Sequence, residues 1–518
     1  MASDLIPFTL SAPGFFGLNT QDSPVSLSKE FALDDQNAVI DKFGRLAARK
    51  GWTSYIESSS SFNDNKVWCL HEFINSAGNA EILAVLDNRI CKIVNNAYET
   101  LYDGLGSWTA QNWKMVNFND KVYMFQKNHE PLVYDGTEVK PMTQTSTYDG
   151  TVQYSNEVLS AYGRLWNIDE TDNRTVLQWS DTLIGEDYNG GAANTLDLEK
   201  VFTNGTRPAV ALAAFNGFLI VFCDKCILIF TGADEDPTTN IALSDIIDNV
   251  GCISRDSVVD IGTDILFLSD TGVRSLGRII DQKSAPIFDV SANVRDSLMA
   301  DVVTNNSNEY IKAVYNDLEG FYLLSLPEAG KTYCFDLKKR LDEGVCRVTT
   351  WTLAPWSFCY RLNKEMLMGF DTTAGTYETY TDNGAGYLFA YRTAYLSNAN
   401  SETDGLTSYK ILKSLRLTFY GKSGYTINFG WGFNYKGIER SANKATPNNV
   451  ASDEYNEDEY FSAEYSGNQE NLSFQTTKQQ LSGSGYVYQI SIAVQINGGP
   501  FSIQQLDIFS KEGRTSYE

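Results

Sequence analysis

Histidine is nearly absent from this chain, with two in 518 residues, His71 and His129. A His-based catalytic triad or a His-rich metal site is hard to assemble from so few. Each is read as a surface or hydrogen-bonded structural residue. Proline is scarce (12) and charged residues make up only 20%, which argues against a largely disordered chain. No apolar run is long enough to span a bilayer. Residues 1–13 lack a basic segment followed by an apolar one, so no secretory signal is expected. Bases are outnumbered, 41 Lys and Arg against 65 Asp and Glu, for a net charge of −24. The most basic stretch, Lys42, Arg45, Arg49 and Lys50, is short. A tight grip on a phosphate backbone, and adsorption to an anionic membrane, are therefore disfavoured. No Gly-rich phosphate loop carrying a Lys follows a strand. Eight cysteines, none beyond Cys359, are too sparse and irregular for a disulfide scaffold. Most are read as buried free thiols made in a reducing compartment.

What is present is aromatic and β-branched. Aromatics reach 13%, with 29 Tyr and 28 Phe, and hydrophobic residues 42%. Such side chains suit pleated, half-buried surfaces. The length exceeds one ordinary core, so several domains or a repeat architecture are expected. A repeat is visible: a turn, a short apolar run, a polar turn and a second short run. Glu81–Ile82–Leu83–Ala84–Val85–Leu86 turns at Asp87–Asn88 into Arg89–Ile90–Cys91–Lys92–Ile93. The clearest copy starts at Asn216–Gly217, runs through Phe218–Leu219–Ile220–Val221–Phe222, and returns as Ile227–Leu228–Ile229–Phe230. Others begin at Asn119–Asp120, Tyr162–Gly163, Gly262, Glu319–Gly320 and Asn363–Lys364. Seven copies at a spacing that fits about four short strands each predict an all-β fold, a β-propeller of six or seven blades, with seven favoured. The bland alternative is a pair of β-sandwiches. One helix is expected between Asp289 and Val303, with Ser291 as N-cap.

Beyond residue 385 the texture changes. Leu415, Leu417 and Phe419, then Ile427, Phe429 and Trp431, alternate with polar residues, as do Ile490, Ile492, Val494 and Ile496. These long hairpins predict a C-terminal antiparallel β-sandwich. The expected domains are an extended N-terminal arm (1–60), the propeller (61–384) and the sandwich (385–518), which would contribute ring contacts. Between Lys444 and Lys478 no base occurs, while Asp453, Glu454, Glu457, Asp458, Glu459, Glu464 and Glu470 do. This reads as an exposed acidic loop.

Little points to reaction chemistry. Cys223–Asp224–Lys225–Cys226 has the spacing of a redox or zinc half-motif, but sits at a tight turn with no second pair. Ser269–Asp270–Thr271–Gly272 faintly resembles the Asp-box turns of sialidase propellers, but it occurs once and reads as a plain β-turn. No catalytic residue, cofactor site or metal site is assigned, and the chain is expected not to be an enzyme. A glycosidase needs only two carboxylates, and nothing in the sequence selects a pair.

The order of parts carries a resemblance. A turn-rich arm ends in Asp35–Gln36–Asn37–Ala38–Val39–Ile40–Asp41 and Phe43–Gly44–Arg45. Propeller hairpins such as Asn216–Gly217–Phe218–Leu219–Ile220–Val221–Phe222 follow, then a sandwich near the terminus. In this order the chain resembles the tail nozzle, or tail hub, proteins of short-tailed, podovirus-type bacteriophages. The resemblance implies a virion tail protein assembled in the host cytoplasm. It implies a homo-hexamer beneath the portal and its adaptor protein that holds packaged DNA until ejection and supports fibres or spikes. Double-stranded DNA would pass through without specific binding, and the seven acidic residues from Asp453 to Glu470 are the candidate channel or tip surface. The alternatives are a cytoplasmic protein-binding propeller scaffold and a polysaccharide-degrading tail protein.

Overall fold

Several hairpins turn where residues accept positive φ. Asn216 and Gly217 have φ of 51° and 81°, and Asn119 and Asp120 have 46° and 61°. Both pairs suit the two-residue type I′ turn, whose twist matches that of the flanking strands. Ala209–Phe215 therefore folds back on Phe218–Cys223, with Phe215 opposite Phe218.

This is a computed structural model that describes residues 5–57, 65–104, 112–168, 174–202, 205, 207–282, 290–341, 344–397, 409–446 and 472–512. The chain divides into two units: Ser54–Thr332 with Ala354–Tyr377, and Met1–Thr53 with Tyr333–Leu353 and Glu378–Glu518.

The first of these units is all-β, with a six-blade β-propeller arrangement. Four four-stranded antiparallel sheets follow one another in chain order, spanning residues 67–103, 114–141, 158–197 and 209–248. A three-stranded sheet covers residues 259–275. Another contains Ser357–Tyr360, Met366–Gly369 and Ala374–Tyr377. Along its last strand lies the start of the unit, where the Tyr55 N–H donates to Ala374 O at 2.8 Å. Early chain thus fastens onto late chain, which closes the ring. A further hairpin, Lys312–Asn316 with Phe321–Leu326, stands between the three-stranded sheet and Ser357–Tyr360.

Burial follows strand position. Phe218–Cys223 and Cys226–Thr231 are buried almost throughout, whereas Ala242–Asp248 at the sheet's edge is largely exposed. Faces of adjacent sheets interlock; Phe222 meets Phe267 with ring centroids 4.9 Å apart.

Helices are few. The helix Arg295–Thr304 overlaps the expected region and ends one residue beyond it, but Ser291 does not cap it. Its hydroxyl instead accepts the Val273 N–H at 2.9 Å, bracing a strand. A second helix, Leu276–Gln282, was too short to stand out in the sequence.

The other unit has two sheets that share one apolar core. In one, Lys410–Lys422 pairs with Phe501–Glu512 and Leu472–Gln480. In the other, Tyr488–Ile496 lies between Tyr387–Thr393 and Thr426–Phe433. Leu415, Leu417 and Phe419 from one sheet and Ile490, Ile492 and Val494 from the other belong to that core. Of the segment expected as an arm, residues 1–60, the described stretch 5–48 enters this unit with several strands. Ile6–Ser11 pairs with Phe501–Glu512, and Phe31–Gln36 with Tyr387–Thr393. Phe15, Ala32, Ile40 and Leu46 join the shared core, so apolar anchors that look isolated in the sequence are core residues.

Candidate functional site

The ring's innermost elements enclose a buried cluster of charges. It begins at a short 3₁₀ turn, Arg255–Ser257, ahead of the three-stranded sheet. Ser257 pins this turn. Its hydroxyl donates to Ser254 O (2.6 Å) and accepts the Leu268 N–H (3.0 Å), while its carbonyl accepts Tyr322 OH (2.9 Å). Arg255 and Asp256 are thereby held in place and joined twice, Nε to Oδ1 at 2.9 Å and Nη2 to Oδ2 at 2.7 Å. Neighbouring inner elements add the rest. Asn112 Oδ1 accepts from Arg255 Nη2 (3.0 Å) and also from Lys312 Nζ. The Lys312 ammonium also donates to Asp256 Oδ2. Lys114 Nζ stands 3.6 Å from Asp256 Oδ1, and Glu157 Oε2 stands 3.8 Å from Arg255 Nε.

Burial and pairing set the charges. Burial raises the Asp256 carboxyl, but the cations Arg255, Lys312 and Lys114 outweigh it and hold the group well below the usual range. Glu157 is pushed up to about 7, chiefly by burial, against the pull of Lys114 and Arg255. Its Oε2 accepts no hydrogen bond. Burial lowers Lys312, partly offset by Asp256.

Two cavities flank the cluster. One, of about 280 Å3, is bordered by Arg255, Asn112, Asn156 and Arg174. The other, of about 190 Å3, is bordered by Lys114, Lys312, Asp256, His71, Trp68 and Trp113. Arg255 thus faces one and Asp256 the other.

The residues weighed in the sequence fall in separate places. His71 Nε2 bonds Asn117 Oδ1 at 2.9 Å beside the smaller cavity, and burial lowers its pKa. His129 Nδ1 lies 2.6 Å from Glu130 O, with its ring 5.2 Å from that of Trp113. Cys223 and Cys226 flank the turn of their hairpin as free, buried thiols. Ser269 donates to Asp270 at 3.0 Å within an ordinary strand turn. The basic stretch is divided by burial. Arg49 is fully buried in a two-point pair with Asp382 (2.8 and 2.7 Å), and Arg45 lies against Phe43, Tyr420 and Phe474. Asp453, Glu454, Glu457, Asp458, Glu459, Glu464 and Glu470 lie outside the described residues. Among the described residues no group of His, Cys, Asp and Glu is placed to hold a metal ion, and no helix is long and apolar enough to cross a membrane.

Sequence reading missed the axial cluster because its members, Asn112, Lys114, Glu157, Arg255, Asp256 and Lys312, are scattered along the chain. The available signal was a charge at the head of inner strands: Lys114 opens Lys114–Phe118, and Lys312 opens Lys312–Asn316.

No family model matches the chain, and no curated protein does. Solved structures similar to it include a streptogramin B lyase, at 9% identity over 63% of this chain and 97% of that one, with a TM-score of 0.38. The computationally designed Ika8 protein is 10% identical over 63% and 99%, with a TM-score of 0.36. The extracellular domain of a putative one-component system of B. thetaiotaomicron is 10% identical over 68% and 46%, with a TM-score of 0.40. None of these likenesses assigns an activity to this chain.

Proposed function

We propose that this chain is a structural protein of a short-tailed bacteriophage tail, six copies of which form a nozzle beneath the portal and its adaptor. The observation that carries the reading is the order of parts. A propeller is inserted between two stretches of chain whose strands pair with each other, Ile6–Ser11 with Phe501–Glu512. We read the two-sheet unit as a β-sandwich platform that makes the ring contacts. We read the hairpin Lys312–Asn316 with Phe321–Leu326 as the core of a seventh blade. The propeller centre supports a non-catalytic role, because its charges are largely spent on one another: Arg255 on Asp256, and Lys312 on Asp256 and Asn112. The net charge of −24 suits a passage that repels DNA rather than gripping it. Fibres or spikes would attach outside, and the protein would act in the virion.

Native mass spectrometry and electron microscopy of the purified protein, alone and with the adaptor, test this reading. A sixfold ring is expected. A monomer that captures peptides would mark a propeller scaffold instead. Release of sugar ends from host capsule, abolished by replacing one carboxylate pair, would mark a polysaccharide-degrading tail protein.

A further inference from the structure

The smaller cavity has an unbalanced charge at its edge. On its wall two cations, Lys114 and Lys312, face one carboxylate, Asp256, leaving an excess of +1; behind that wall Arg255 also engages Asp256, and Glu157 lies 3.8 Å from Arg255. Asp256 is engaged by Arg255 at both oxygens and by Lys312 at one. Lys114 has no such close partner: at 3.6 Å its ammonium is beyond a good hydrogen bond to Asp256, and its side chain is 29% exposed at the cavity. Of the other titratable groups on this wall, His71 is kept toward its neutral form by burial, and burial likewise raises the Cys69 thiol. A buried net charge is costly without a counter-ion.

The rest of the lining combines aromatic and aliphatic side chains with the polar Cys69 and Ser357. Trp68 and Trp113 line the cavity. Trp68 packs against Tyr310 and Trp356, each at 5.3 Å between ring centroids, and these two lie 5.6 Å apart. The Lys66 ammonium lies 3.5 Å from the Trp356 ring centroid and 4.7 Å from that of Trp68, and is paired with Asp371 at 3.4 Å.

We propose that this cavity binds an organic anion, a carboxylate on an apolar body, with the carboxylate on Lys114 and Lys312 and the body against Trp68 and Trp113. The site does not depend on ring assembly, so a monomer would show it equally. A carboxylate can come from a free small acid or from a peptide terminus.

The test titrates the full chain at neutral pH and constant ionic strength with benzoate, benzyl alcohol and inorganic phosphate, following tryptophan fluorescence and melting temperature. Saturable binding of benzoate is expected, with the neutral alcohol and phosphate at least about tenfold weaker, as for loss of a charged hydrogen bond or of the apolar contact. Lys114→Gln should weaken benzoate by a similar factor, and Lys114→Arg should retain it. Trp68→Leu, at the rim, provides the same reading if Lys114→Gln does not fold. Equal response to benzoate and benzyl alcohol, no saturable response to benzoate, or unchanged affinity in the folded variant overturns the proposal. A Phe-terminated peptide that competes with benzoate only when its carboxylate is free identifies a chain terminus. Benzoate binding without such competition identifies a free acid. Either upholds the site.

Discussion

Two carboxylates in one cluster have opposite fates because their partners differ. Glu157 is 3% exposed and meets Arg255 only at 3.8 Å, so the loss of water dominates and its pKa rises. From the ordinary value of 4.5 up to about 7, the native protein keeps a proton that the unfolded chain has released. The contribution of this group to stability is full below 4.5 and is lost as pH rises through 7. The loss amounts to about 3 kcal/mol. Glu157→Gln should flatten melting temperature against pH across that window and stabilise the protein at pH above it. A variant whose profile matches the unsubstituted protein would contradict this assignment. Asp256 behaves in the opposite way. Its lowered pKa stabilises the fold above the ordinary value of 3.8, and that contribution fades as pH falls toward the native value. Asp256→Asn leaves Arg255 and Lys312 buried without their anion and should cost about 3–5 kcal/mol at neutral pH in denaturant melts. A loss below about 1 kcal/mol would mean that water or a bound anion already screens those cations.

Within each blade the strands differ in what they bury, and substitution costs should follow. Phe222 is fully buried and touches Phe267 in the adjoining sheet, so Phe222→Ala should lose about 3–5 kcal/mol by chemical denaturation. Leu243, 40% exposed on the edge strand of the same sheet, should lose about 0.5 kcal/mol or less as Leu243→Ala. Equal losses would deny the layered blade. This contrast also explains what was legible beforehand. Phe218–Cys223 and Cys226–Thr231 stand out because both faces are buried, which leaves a continuous apolar run. Edge strands such as Asn194–Asp197 carry no pattern, since neighbours fix them through backbone bonds. Residues 6–48 were unreadable for a related reason. Their strands are short, and the partners that bury Phe15 and Leu46 lie hundreds of residues away, as when Leu46 meets Ile503. The axial cluster shares this limit, because it is defined by where inner strands begin in space rather than by any local spacing.

If the chain forms the proposed ring, charge is the controlling quantity at that scale. Six copies at −24 each would bring −144 into one ring, and mutual repulsion opposes closure at low salt. With a screening length of about 10 Å near 0.1 M salt, repulsion between exposed faces weakens sharply as salt rises. The fraction of chain in rings, read by native mass or sedimentation, should therefore increase with salt until apolar contacts alone set it. The same charge yields a sharper test of the nozzle reading. If Asp453, Glu454, Glu457, Asp458, Glu459, Glu464 and Glu470 line the passage, replacing them with Asn and Gln removes seven charges per copy and 42 per ring. Rings of this variant should retain double-stranded DNA that unsubstituted rings release, most clearly at low salt, and phage carrying it should eject more slowly. Normal ring formation with unchanged DNA retention and ejection would place those carboxylates on the outer surface and leave the repulsion to other acids of the ring.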